Sequence, residues 1–332
     1  MSYIDNLIRP DYGRLVNTRK GEVKLGERIS VYQGGNLNIY PCKYAVVGIP
    51  EDIGVRANFG RPGAELAWES FLPRFLNLQS VGEADKEILL LGALDCEELN
   101  LQSRNVSAEN LSQLVSQLDQ KVELVITEIV KNNMIPIVIG GGHNNAFPIL
   151  KSVSKQTGIP CGAVNIDPHA DLRETDRRHS GNGFSFALEQ GYLGKYTILG
   201  FNERSNNAHI KSVISANKDI VTVLSSTISK ARHTEGEMQR ITEELTNRFE
   251  DSDYGIELDL DSIADMPSSA MNPCGFSSSD VQFFMHHLNS KRVKYFHVSE
   301  GAPALKTGGE EIVGKFIAQI ISDFIDARRQ FE

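Results

Sequence analysis

NIDPHADLR, residues 165–173, closes an apolar run, CGAVNI (161–166), with Asp167, His169 and Asp171 at alternate positions and Arg173 two residues further on. In an extended segment residues i, i+2 and i+4 lie on one face, so this spacing predicts that two carboxylates and an imidazole converge. Pro168 fits an extended reading, because it lacks a backbone donor and is poorly tolerated inside a helix. A D-x-H by itself is common, and its weight depends on what surrounds it.

Working outward, eight short apolar runs read as strands: 44–49 (YAVVGI), 87–94 (EILLLGAL), 135–141 (IPIVIGG), 161–167 (CGAVNID), 195–201 (KYTILGF), 219–225 (DIVTVLS), 254–261 (YGIELDLD) and 293–300 (VKYFHVSE). Most are near-continuously apolar, as expected of strands covered on both faces. Between them, 110–133, 235–251 and 310–331 repeat apolar residues at three- and four-residue intervals, the pattern of amphipathic helices. Ser107 and Glu109 stand near the start of the first. Strand–helix alternation predicts an α/β fold with a parallel sheet and helices on both faces. With no low-complexity linker and no internal repeat, a single domain over 1–332 is expected.

Sites in such sheets form at the carboxyl ends of strands. Four runs end there in chemistry: 135–141 runs into GGGHNN with His143, 161–167 into Asp167, His169 and Asp171, 254–261 into Asp259 and Asp261, and 293–300 into Glu300. Asp259 and Asp261 share a face for the same period-two reason, leaving Leu258 and Leu260 to the core. Each element has a plainer reading alone. A D-x-D can cap the next helix, as Asp261 or Asp265 would, and a histidine after three glycines can be a loop residue. Together they gather carboxylates that would repel strongly in a buried site unless divalent cations offset them. Four carboxylates and two imidazoles exceed the needs of one open tetrahedral zinc. They suit two metal ions roughly 3.5–4 Å apart, and mixed oxygen and imidazole donors lean toward Mn²⁺, with Fe, Co, Ni or Zn also compatible.

Composition limits the partners. The 332 residues are 40% hydrophobic and 23% charged, ordinary for a globular protein, and the net charge of −9 offers no basic stripe for nucleic acid. The four cysteines, Cys42, Cys96, Cys161 and Cys274, form neither a C-x-x-C pair nor a dense framework. Cys274 reads either as a pocket-lining residue or as a bystander. MSYIDNLIRPDYGR lacks the layout of a signal peptide, and no uncharged apolar run approaches the ~18–20 residues needed to cross a bilayer. A cytoplasmic protein without membrane contact is expected.

GGGH (140–143), DPHAD (167–171), SGNGF (180–184), DLDSIAD (259–265) and EGAP (300–303), in this order, resemble the ureohydrolases, the superfamily of arginases, agmatinases and formiminoglutamases. The resemblance implies a three-layer α/β/α sandwich on an eight-stranded parallel sheet, and a homo-oligomer. It also implies two manganese ions, one held by His143, Asp167, Asp171 and Asp259, the other by His169, Asp167, Asp259 and Asp261. Asp171 would also orient the attacking water and return a proton to the leaving amine, Glu300 would receive the cationic amidine group, and Ser180 and Asn182 of SGNGF would contact substrate. GVRANFGRPGA (54–64) and Gly142, where arginases carry Asp, look most like formiminoglutamases. Arg173, where arginases carry Asn, would then fork onto a substrate carboxylate; its plainer reading is a surface residue in RETDRR (173–178). SGNGF lacks the histidine that follows it in arginases, which leaves His179 as a candidate proton shuttle. Glu257 stands where arginases have Ser, and Asn144 where formiminoglutamases often have an acid. The expected activity is hydrolysis of N-formimino-L-glutamate to L-glutamate and formamide, with a urea-releasing guanidino-acid hydrolase and a non-catalytic relative as alternatives.

Overall fold

In the computed structural model, which describes residues 3–331, all eight apolar runs are strands of one sheet. They are β2 (Tyr44–Gly48), β3 (Ile88–Ala93), β4 (Ile135–Ile139), β5 (Cys161–Ile166), β6 (Leu193–Phe201), β7 (Ile220–Leu224), β8 (Tyr254–Asp259) and β9 (Val293–Ser299). A ninth strand, β1 (Ser30–Val31), corrects the expected count of eight by pairing with Leu89 and Leu90 of β3 at the sheet edge. Two residues are too few to show any hydrophobic period, so nothing in the sequence marked them. The order is β1-β3-β2-β4-β9-β8-β5-β6-β7, and every pairing is parallel.

Alternate strand residues feed two separate cores. Tyr44, Val46, Ile137, Ile139, Val164 and Ile166 pack with the helices Ala67–Leu76, Glu237–Asn247, Ser278–His287 and Gly309–Arg328. Ala45, Val47, Val138 and Ala163 pack on the opposite face with Ala108–Lys131, Ala146–Thr157 and Gly183–Glu189. Both faces are therefore covered, which gives the three layers and explains why the strands do not alternate polar with apolar. The helix predicted at 110–133 begins at Ala108, where the Ser107 side chain accepts from the Asn110 N–H at 3.3 Å.

β4 and β5 follow one another in the chain but lie on either side of β9 and β8. The chain winds outward from this point in both directions, which opens a crevice at the carboxyl ends of the central strands. All four ligand-bearing segments leave the sheet there.

The closest helix contact on the first face is between Ala67–Leu76 and Gly309–Arg328. A Cβ at Gly314 would stand 2.0 Å from the Ser70 carbonyl oxygen, a backbone atom that cannot swing aside. Helix propensity alone would make Gly314→Ala stabilising by about 1 kcal/mol. The contact predicts the opposite sign, a loss of about 2 kcal/mol or more by overpacking. Urea denaturation of the two proteins decides between them.

Candidate metal centre

The loop after β4 is shaped by a residue far away in sequence. Glu51 is fully buried, and its Oε1 accepts from Gly142 N at 2.8 Å, Asn145 Nδ2 at 2.8 Å and Asn144 Nδ2 at 3.2 Å, while Oε2 accepts from Ile53 N at 2.7 Å. Gly140 and Gly141 have φ of 86° and 79°, and a Cβ at Gly141 would come within 2.7 Å of Glu51 Oε1. Glycine is thus what lets the carboxylate reach under the loop. Burial raises the Glu51 pKa, which the N–H donors from Gly142, Asn145 and Gly54 oppose. The result is a rigid turn that presents His143 to the crevice.

The other ligand segments converge by turns rather than by the strand period. β5 stops at Ile166, and Asp171 has φ of 49°. His169 N donates to Asp167 Oδ1 at 2.7 Å, Asn206 Oδ1 accepts from Ala170 N at 3.0 Å, and Tyr196 Oη donates to the Ala170 carbonyl at 2.9 Å. Asp261 likewise lies in a 3-10 turn (Leu260–Ser262), its N–H donating to Asp259 Oδ1 at 2.7 Å. The extended-segment argument is therefore corrected in its cause. Leu258 and Leu260 do enter the core as expected.

These turns gather the predicted donors into two groups. One oxygen or nitrogen from each of His143, Asp167, Asp171 and Asp259 lies within 4.8 Å of the others, and the same holds for His169, Asp259 and Asp261. Asp259 belongs to both. Asp167 turns Oδ2 toward His143 Nδ1, 3.4 Å away, and Oδ1 toward His169 Nδ1, 3.2 Å away. His143 Nδ1 also lies 3.0 Å from Asp171 Oδ2 and 3.3 Å from Asp259 Oδ2, yet is aligned for a hydrogen bond with none of them. A buried nitrogen facing three carboxylates without a hydrogen bond fits a shared cation between them.

The electrostatics agree. Burial raises the pKa of Asp171, Asp259 and Asp261, and neighbouring carboxylates add to the rise. Burial acts on Asp167 in the same direction, but the His143 and His169 imidazoles outweigh it and its pKa falls. Burial would lower both histidines, but the facing carboxylates lift His169 to about 10 and His143 well above its ordinary value. Raised carboxyls beside raised imidazoles are the pattern of a buried acidic cluster that favours positive countercharge, which divalent cations would supply.

A cavity of about 200 Å³ opens onto this cluster, lined by Asn58, His169, Asp171, Arg173, Ser180, Ser205, Asn206, Asp259, Asp261, Ser269 and Glu300, among others. Glu300, with φ of 65°, accepts from His143 N through Oε1 at 2.8 Å, whereas its buried Oε2 has no partner. Burial, then the charges of Asp261 and Asp171, push its pKa up to about 8. The Arg173 stem crosses Gly181, with Cδ and Nε 3.0 and 3.1 Å from where a Cβ would stand. Among the described residues, no acidic side chain pairs with its exposed guanidinium. Asn58, from GVRAN, donates to Ser180 Oγ at 3.4 Å. Its part in the wall was not read from the sequence. A second cavity, about 540 Å³ and mostly apolar, lies away from the cluster around Trp68 and Leu72 and brings no such ligand set together.

Two of the expected site residues lie away from the cavity. Asn182 is fully buried behind the wall: its Oδ1 accepts from Arg178 and from His179 N, and its Nδ2 donates to the carbonyls of Glu174 and Arg177. It shapes the loop and does not line the cavity. His179, only 3% exposed, accepts from Gly181 N through Nδ1 at 3.1 Å and is also absent from the cavity wall. Arg178 explains both placements. In a run that reads as a solvated surface, it is buried against Asp119 in a two-bond fork of 2.8 and 2.9 Å and lies over Phe147 and Phe186.

Burial, and then the charges of Arg177, Arg173 and Arg178, lower the His179 pKa to about 4. Between pH 4 and its unfolded value near 6.5 the unfolded chain binds more protons, so stability rises with pH across this window. As pH falls from 7 to 4.5 the native chain therefore loses about 1–3 kcal/mol at this residue. His179→Asn, which keeps an acceptor for Gly181 N, is expected to flatten that limb by a similar amount in denaturation curves at the two pH values. An unchanged slope counts against a buried neutral imidazole.

Residues 42–325 match the arginase family. A formimidoylglutamase of Clostridium tetani is 26% identical over 306 residues, covering 85% of this chain and 82% of its own. A formiminoglutamase of Trypanosoma cruzi, solved with Mn²⁺, superposes with a TM-score of 0.73 at 17% identity, covering 94% of this chain and 100% of the other. An agmatine ureohydrolase of Thermoplasma volcanium superposes with a TM-score of 0.67 at 20% identity over 88% of this chain and 91% of its own. Clustered carboxylates and imidazoles at the switch point of a parallel sheet, together with a match over nearly the full length, place the chain in the arginase family.

Proposed function

We propose that this chain is a dinuclear-metal hydrolase of linear amidines whose substrate is N-formimino-L-glutamate. The observation that carries the substrate is a pair of unpartnered groups at the cavity, the Oε2 of Glu300 beside the cluster, whose carboxyl a cationic amidine would hold ionised, and the unpaired guanidinium of Arg173. A substrate with a cationic amidine at one end and carboxylates at the other complements both. The formimidoylglutamase name carried by the Clostridium tetani relative supports the same choice.

His143, Asp167, Asp171 and Asp259 would hold one divalent ion, and His169, Asp167, Asp259 and Asp261 the other, with Mn²⁺ favoured by the Trypanosoma cruzi structure. When bound, the ions would supply the activated water and charge stabilisation of a two-metal site. Glu300 accepts the amidinium N–H groups and holds the reacting carbon over the cluster. Asp171 takes a proton from the attacking water as the new C–O bond forms. It returns that proton to the substrate nitrogen as the C–N bond breaks, which leaves formamide and L-glutamate. Arg173 grips the carboxylate end by a charge-assisted fork and sets the distance to the cluster. Ser180 and Asn58 supply polar contacts between the two ends. The same cavity would admit a guanidinium at Glu300, so a guanidino-acid hydrolase releasing urea differs from this reading in product.

The test is product-resolved hydrolysis by Mn²⁺-loaded protein given N-formimino-L-glutamate or L-arginine. Formamide and glutamate, lost on chelation, are the expected products; urea, or release that survives chelation, contradicts the assignment. Arg173→Ala should raise KM for N-formimino-L-glutamate about 10–100-fold with a smaller change in kcat, as removal of a charge-assisted contact made in both ground and transition states does. An amidine substrate that lacks the carboxylates should show no such change.

A further inference from the structure

Behind His143, away from the cavity, lies a buried polar group that the proposed reaction leaves unused. Glu257, on β8 two residues before Asp259, has no exposed surface. Its Oε1 accepts from Tyr295 Oη at 2.8 Å, and its Oε2 stands 2.6 Å from His297 Nδ1 and 3.5 Å from His143 Nε2. Tyr295 and His297 both come from β9, and His297 is the register partner of Glu257. All four side chains are fully buried. The His143 ring is enclosed edge-on by Phe184 and His297, with ring centroids 5.1 and 5.9 Å away.

A buried carboxylate is costly unless its neighbours are arranged for it. Here both oxygens are supplied with donors, and the assembly touches one functional group only, the far nitrogen of His143. We propose that Glu257, oriented by Tyr295 and His297, is a positioning residue for His143. Its charge, 3.5 Å from Nε2 though not aligned for a hydrogen bond, favours the tautomer protonated there and leaves the Nδ1 lone pair for a cation among Asp167, Asp171 and Asp259. Partners behind a ligand imidazole fix its ring and raise its donor strength, and their loss typically weakens metal affinity 10–100-fold. The inference rests on the reading of His143 as a metal ligand.

Titration of the metal-free, full-length chain with Mn²⁺, read by calorimetry and by the EPR signal of the free ion, tests it. The native chain is expected to take two ions. His143→Ala identifies the ion that His143 holds, and Glu257→Gln should weaken that same ion 10–100-fold while the other changes less than threefold. Tyr295→Phe keeps the carboxylate but removes one of its orienting bonds; it should weaken the same ion by a smaller factor, and it remains informative if Glu257→Gln does not fold. Unchanged affinities in both variants overturn the proposal, as does an equal loss at both ions, which a general structural or charge effect would give. A third ion lost with Glu257 would make His143, Glu257 and His297 a separate metal group and also overturn it. If the native chain takes two ions and His143→Ala keeps both at full affinity, the reading of His143 as a ligand fails first.

Discussion

Mutual repulsion among Asp167, Asp171, Asp259 and Asp261 is the constraint on which the rest of the structure depends. They meet in two adjoining groups that share Asp259, and among the described residues no lysine or arginine pairs with any of them. Such a group cannot be held by its own interactions, so its positions are imposed from outside. The sheet supplies the first part: β4, β9, β8 and β5 are contiguous, and each delivers its segment to the same end. Backbone bonds across the strand ends, such as Glu300 N to the Gly141 carbonyl at 2.9 Å, hold the loops in register. Two buried charges away from the cluster, Glu51 under the His143 turn and Arg178 behind the 174–182 loop, complete the frame.

This division of labour explains the sorting of the arginines. Arg56 is tied to Asp52 and Ser103, Arg61 to the carbonyls of Ser268 and Ser269, and Arg178 to Asp119. Among the described residues, Arg173 alone of the arginines reaches the cavity wall, with no acidic partner for its guanidinium. The fold is common to relatives with different substrates, including the agmatine ureohydrolase, so specificity must be carried by wall residues of this kind and not by the sheet.

What was legible in the sequence followed from burial. Strands covered on both faces must be apolar at nearly every position, so all eight long ones could be read, whereas β1 gains its place from edge pairing of two residues and left no pattern. The clustering of the candidate donors was legible because carboxylates at several strand ends of a parallel sheet converge on one end of it. Their means of convergence was not, since positive-φ turns at Asp171 and Glu300 are set by contacts from other segments. Glu51 and Arg178 were invisible for the same reason: one of two acids in IPEDIG and an arginine in RETDRR look like surface until the chain is folded. The separate placements of neighbouring residues were not legible either: the turn at 179–182 points Ser180 to the cavity and spends His179 and Asn182 on bonds within the loop.

The most direct test of the central claim, that these four carboxylates exist to share two divalent ions through Asp259 and Asp167, is the EPR spectrum of the Mn²⁺-loaded chain at full occupancy. Two ions per chain with the multiline pattern of a spin-coupled pair are expected, replaced by uncoupled or absent Mn²⁺ in Asp259→Ala. Two uncoupled ions, a single ion in the native chain, or a coupled pair that persists in Asp259→Ala would contradict that claim.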